Sequence, residues 1–143
     1  MTPGVPEARK GHLTFGSANN PYKYSRAMIQ AWAQVTAAVP DSRFMFVRPE
    51  GGSKVFRDNI VRIFESEGVS ADRITFEAVR GAHMPFYNEI DIALDTFPQT
   101  GGTTTCESLF MGVPTVTVAG PALFERLSCS ILQNAGLGDL CAP

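Results

Sequence analysis

Apolar positions along this chain follow two alternating periods. Short, β-rich runs read as strands: His12 to Ser17, Arg43 to Val47, Arg73 to Phe76, Ile90 to Leu94 and Thr115 to Val118. Between them the spacing becomes helical. Met28, Ile29, Trp32, Val35 and Thr36 share one face of a helix that Ser25 caps and Pro40 stops. Val55, Ile60, Val61, Ile63 and Phe64 mark a second helix, with Gly68 as its C-terminal cap. Phe86 to Glu89 fits one helical turn, Cys106 to Met111 a third helix, and Leu123 to Asn134 a fourth, capped by Gly136. Strand and helix in alternation predict an α/β fold, an open parallel sheet with helices on both faces. Residues 12–143 form one domain in this reading, and the Pro- and Gly-rich segment 1–11 is a linker or the edge of a cut in a longer protein.

In such sheets ligands bind beyond the carboxyl ends of the strands. The polar candidates all follow strands: Asn20 and Lys23 after the first, Arg80 and His83 after the third, and a threonine run after the fourth. That run lies in Leu94 to Glu107, LDTFPQTGGTTTCE. An apolar strand breaks at Pro98 into Gly101-Gly102 and then into a helix, an order that aims free backbone N–H groups at an anion such as phosphate. Thr103, Thr104 and Thr105 add hydroxyls, and Glu107, one turn inside, suits a pair of neighbouring hydroxyls such as those of a ribose. The plain alternative is a strand-to-helix connection capped by threonine. No Gly-Lys-Ser/Thr closes the loop and no G-x-G-x-x-G is present, so neither the Walker A loop nor the dinucleotide fingerprint applies.

Composition narrows the function classes. The net charge is −2, from 12 basic and 14 acidic residues, with no basic excess to mark a nucleic-acid or membrane surface. No apolar run approaches the roughly 20 residues of a membrane span, and the amino terminus lacks a signal-peptide pattern. Cys106, Cys129 and Cys141 form no C-x-x-C pair, so they read as reduced, small apolar packing groups in a cytoplasmic protein. His12 and His83 are the two histidines, too few for a metal site or a serine triad to draw on.

The block DIALDTFPQTGGTTTCESLFMGVPTVT, Asp91 to Thr117, closely resembles the C-terminal domain of the O-linked N-acetylglucosamine transferases and of the related plant SPINDLY proteins. LTFGSANNPYK (Leu13 to Lys23), WAQVTAAVPDSR (Trp32 to Arg43) and GLGDL near the end fit the same domain. The resemblance covers Leu13 to Ala142. It implies the C-terminal, Rossmann-like half of a two-lobed (GT-B) glycosyltransferase that binds a nucleotide sugar. Lys23 would contact the diphosphate and help the leaving group carry charge, with Asn20 beside it. His83 would stack on the base, whose edge Ala78 and Arg80 would read. Thr103, Thr104 and Thr105 would hold the diphosphate, and Glu107 would take the ribose hydroxyls, where animal members have Asp. Arg126 matches an arginine of the N-acetylglucosamine transferases. The donor implied is UDP-N-acetylglucosamine, with no cofactor, no metal and transfer to serine or threonine of a protein acceptor. Read without the resemblance, Lys23 is a solvated lysine, His83 a loop histidine and Arg126 a surface charge.

Phe86 stands where animal members carry arginine, and Gly102 where they carry histidine. SPINDLY proteins use GDP-fucose, and their glycine–threonine block is close to this one, so a fucosyl donor is the alternative. The family's first lobe with its catalytic histidine, and its tetratricopeptide repeats, have no counterpart; His12 does not match that histidine. Without the first lobe the chain is expected to be inactive and to bind nucleotide weakly, at about millimolar. A non-catalytic interaction domain, one that dimerises through an exposed apolar patch, and an epimerase of the same architecture are the remaining readings.

Overall fold

The computed structural model describes residues 4–143. Six parallel strands run β1 (Thr14–Ser17), β2 (Arg43–Val47), β3 (Ile74–Glu77), β4 (Ile92–Leu94), β5 (Thr115–Val118) and β6 (Cys141–Ala142). Their spatial order is β3-β2-β1-β4-β5-β6, so the sheet reverses direction of growth between β1 and β4. That boundary is the switch point where loops diverge and leave a crevice. The helices are α1 (Pro6–Lys10), α2 (Arg26–Ala38), α3 (Lys54–Ser66), α4 (Thr103–Phe110) and α5 (Leu127–Asn134).

Side chains alternate across each strand, and the two sets meet different partners. Phe15, Phe44, Phe46 and Leu94 pack on Met28, Ile29, Trp32 and Ala33 of α2 and on Ile60 and Phe64 of α3. On the opposite face Met45, Val47 and Ala93 meet Tyr87, Ile90 and Val113. α4 lies on that second face, where the Ser108 hydroxyl meets the Thr115 hydroxyl of β5 at 2.5 Å. Helices therefore cover both faces, as the alternation predicts.

Ser25 caps α2, its hydroxyl accepting from the Met28 amide at 3.2 Å. Gly68 follows α3 with φ +85°, a conformation that glycine alone adopts without strain. Four departures from expectation are local. The linker expected over 1–11 falls partly on residues 1–3, outside the described residues. From Pro6 the chain forms α1, started by proline at its first turn and docked by Lys10 on Glu89 at 2.7 Å and by the Glu7 amide on Asp91 at 2.7 Å. α4 begins at Thr103, not Cys106, so the threonines are inside the helix. The expected last helix is a 3-10 turn at Leu123–Glu125 followed by α5. Finally, a sixth strand pairs with β5 through Thr117 and Val118.

That sixth strand corrects the reading of the cysteines. Cys129 of α5 and Cys141 of β6 form a disulfide, with Cα atoms 5.4 Å apart, and Cys106 is free and exposed. Only the pairing of β6 on β5 brings residues 12 apart together. Two of the three cysteines are thus crosslinked, not reduced packing groups, and they no longer argue for a reducing compartment. Among the described residues no helix is long and apolar enough to cross a membrane.

Candidate functional site

The loops after β1 and β4 meet at the switch point, and a buried carboxylate joins them. Asp95, the residue after β4, accepts at Oδ1 from the amides of Thr96 and Gly101, both at 2.8 Å, and from Asn19 Nδ2 at 3.3 Å. Its Oδ2 accepts from the Thr117 hydroxyl at 2.7 Å. Gly101 is required here. A Cβ would lie 2.5 Å from Thr105 Oγ1, 2.8 Å from Thr104 Oγ1 and 3.1 Å from Asp95 Oδ1.

Asn19 turns its other atom, Oδ1, to the mouth of the crevice. Lys23 Nζ donates to it at 3.3 Å and Thr104 Oγ1 at 3.0 Å. Lys23 also donates to the Thr100 carbonyl at 3.2 Å. Burial lowers the pKa of its ammonium, and the Asp95 charge opposes that shift. Beside these groups α4 begins. The Cys106 amide is the first to bond back, to the Gly102 carbonyl at 3.0 Å, so the amides of Thr103, Thr104 and Thr105 precede the helical ladder. Ammonium, hydroxyl, free amides and the positive helix end converge, which suits an anion with several oxygens.

One turn into α4, Glu107 meets His83 and Tyr87. Its Oε2 lies 3.0 Å from His83 Nε2 and 3.2 Å from the Tyr87 hydroxyl. His83 Nδ1 sits 2.7 Å from the Gly81 carbonyl. The bond to Glu107 is the main cause that raises the His83 pKa, with partial burial acting against it. Burial, reinforced by Glu107, pushes the Tyr87 phenol up.

The residues expected from sequence do not all play the same part. Lys23 and Thr104 meet on Asn19, and His83 meets Glu107 one turn further into α4. Asn20 instead caps the 3-10 turn Pro21–Lys23 by accepting from the Tyr22 amide, and its neighbour Asn19 meets Lys23. Thr103 is exposed at the helix start. The Thr105 hydroxyl is buried and committed to Ser128 at 2.7 Å, so it is not the free hydroxyl donor the sequence suggested. Ala78 and Arg80 are exposed on the loop before His83, and Arg126 is exposed at the start of α5. Among the described residues no side-chain bond ties Arg80 or Arg126 to the cluster. Asn19, Asp95 and Tyr87 were not singled out beforehand. An aspartate closing an apolar strand was the available signal for Asp95.

The pattern of Glycosyl transferase family 41 matches residues 5–143. The chain belongs to this family. Within glycosyl transferase family 41 it is similar to the probable UDP-N-acetylglucosamine–peptide N-acetylglucosaminyltransferase SPINDLY of Petunia hybrida, 39% identical over 141 residues, 96% of this chain. The protein described as SEC, also a probable UDP-N-acetylglucosamine–peptide N-acetylglucosaminyltransferase, from Arabidopsis thaliana, is 29% identical over 138 residues, 94% of this chain and 13% of SEC. A solved structure of a mutant O-GlcNAc transferase from Thermobaculum terrenum superposes with a TM-score of 0.87 at 32% identity, over 99% of this chain and 28% of that one. This family 41 chain spans 15% of the length of the SPINDLY relative.

Proposed function

We propose that this chain is the donor-binding lobe of a two-lobed, inverting, metal-independent protein O-glycosyltransferase. It would take UDP-N-acetylglucosamine and transfer the sugar to serine or threonine of a protein. The observation that supports this is the meeting of two donors, Lys23 Nζ and Thr104 Oγ1, on one acceptor at the start of α4. As the sugar–phosphate bond breaks, negative charge builds on the diphosphate. Donors fixed in advance stabilise that charge without reorganising. Lys23 supplies a cation, Thr104 a hydroxyl, and α4 its amides. Glu107 then receives the ribose hydroxyls, with His83 beside the base.

The acceptor side belongs to other parts of a longer protein in this reading. An exposed apolar groove of about 390 Å³, lined by Ala31, Val35, Phe97, Val116 and Val118 among others, is suited to packing against them. A GDP-fucose donor is the second reading.

Calorimetric titration of the natural polypeptide that carries this chain, with UDP, GDP and UDP-N-acetylglucosamine and without metal, tests both. UDP binding that is lost in Lys23→Ala and in Thr104→Ala supports the first reading. Preference for GDP moves the donor to a fucosyl nucleotide. No nucleotide binding by folded protein, together with self-association in sedimentation, would leave an interaction module.

A further inference from the structure

The donor-site reading gives Lys23 and Thr104 their roles but does not say what holds them in place. Lys23 is a long, flexible side chain, and fixing it costs rotamer entropy. Four elements surround it. The loop after β1 brings Asn19, the end of β4 brings Asp95, the glycine loop brings the Thr100 carbonyl, and α4 brings Thr104. Of these four, Asp95 alone carries a charge.

We propose that Asp95 and Asn19 are positioning residues of the diphosphate site: Asp95 fixes the Asn19 amide, and Asn19 Oδ1 aims the Lys23 ammonium and the Thr104 hydroxyl at one point. The chain of bonds is complete on the Asp95 side. Its carboxylate accepts from four donors, drawn from the loop after β1, the end of β4, the glycine loop and β5. Asn19 is itself buried, and the Tyr24 hydroxyl pins its carbonyl at 3.0 Å. Because Nδ2 is bound to Asp95, the amide presents Oδ1 to the mouth, and Lys23 and Thr104 both find an acceptor there. An incoming diphosphate oxygen takes over from Asn19 Oδ1 as the acceptor for both donors. The charge has a second use. Burial works against the ammonium of Lys23, and the Asp95 carboxylate works for it.

This inference rests on the donor-site reading, and its test separates the two. Asp95→Asn keeps the shape: one oxygen remains for the three donors now at Oδ1, and the new amide can donate to the Thr117 hydroxyl, which reverses its role. The charge alone is removed. In the natural polypeptide the alkaline limb of kcat/KM for the nucleotide-sugar donor is expected to move to lower pH in Asp95→Asn. An unmoved limb in folded protein overturns the part assigned to the Asp95 charge, and the bond at Oδ1 that this variant keeps is tested through Asn19. Asn19→Ala carries the test should Asp95→Asn not fold. It frees both donors, and kcat/KM is expected to fall about 10- to 100-fold, mainly in kcat. Unchanged kcat/KM overturns the inference. Lys23→Ala is run beside them. Undiminished transfer there removes the donor-site reading itself, whereas lost transfer with unaffected Asp95→Asn and Asn19→Ala removes only the positioning role.

Discussion

Between α2, α3 and strands β1 to β3, aromatic rings cluster in the interior; between α4, α5 and strands β4 and β5, buried hydroxyls do. Trp32 stacks on Phe44 with centroids 5.2 Å apart, Phe44 meets Phe46 at 4.6 Å and Phe64 at 5.4 Å, and Phe46 stacks on Phe76 at 5.3 Å. Across the switch point Thr105 meets Ser128, Ser108 meets Thr115, Thr117 meets Asp95, and Ser128 donates to the Gly101 carbonyl at 2.9 Å. Apolar packing is non-directional and scales with area, so the ring side supplies stability. Hydrogen bonds are directional and add little net stability, yet each one fixes an angle. The hydroxyl side therefore holds the glycine loop and the start of α4 in register. Trp32 links the halves, its indole N–H donating to the Asp95 carbonyl at 3.3 Å.

Four measurements sharpen or break this contrast. The largest effect is expected for Phe44→Ala. Truncating this fully buried ring should cost about 3–5 kcal/mol in urea unfolding. A loss near 1 kcal/mol would mean that the ring side is not the stabilising one. Next comes Lys23→Ala, where transfer by the natural polypeptide should fall about 100- to 1,000-fold, or about 2.7–4 kcal/mol. Unfolding should move by less than about 1 kcal/mol. Comparable losses in both would make Lys23 a structural residue.

Ser128→Ala comes third. It strips a partner from the Thr105 hydroxyl and the Gly101 carbonyl, both buried, at about 1–3 kcal/mol. Nucleotide affinity should fall with it, since the same bonds place the loop; intact affinity would separate the network from the site. The smallest effect is the pH dependence of the His83–Glu107 pair. The folded-state pKa of His83 is raised, so the pair's contribution is fully present below about pH 6.5 and is lost as pH rises through the raised value. The difference in unfolding midpoint between the native sequence and Glu107→Gln should shrink over that range. A difference that grows with pH would reverse the assignment.

The apolar pattern carried most of the sheet. Short apolar runs placed five strands, because parallel strands are buried on both faces, and the 3.6 repeat placed the helices from α2 onward within a few residues, because burial of one helix face leaves a mark at every third to fourth position. β6 is two residues long and has no period to read. α1 lies in a Pro- and Gly-rich segment whose composition speaks for a linker, and it docks through ion pairs to Glu89, a bond to Asp91 and bonds from Arg9 and Lys10 to the Asn88 and Glu89 carbonyls. At the candidate site, residue types and order singled out Lys23, Thr104, His83 and Glu107 as candidates. Choosing Asn19 over Asn20 needed the loop's path, which turns one amide inward and the other onto its own turn.

The sequence by itself therefore determined the α/β class, the glycine–threonine helix start and the family. These are written in local spacing and in residue chemistry. Tertiary structure alone decided that Asp95 is a hub, that Thr105 points inward, that Tyr87 backs Glu107 and that Cys129 joins Cys141. Each of those depends on which elements the sheet order lays side by side. Residues far apart in the chain become partners only once the sheet order is set, and no local period encodes that order.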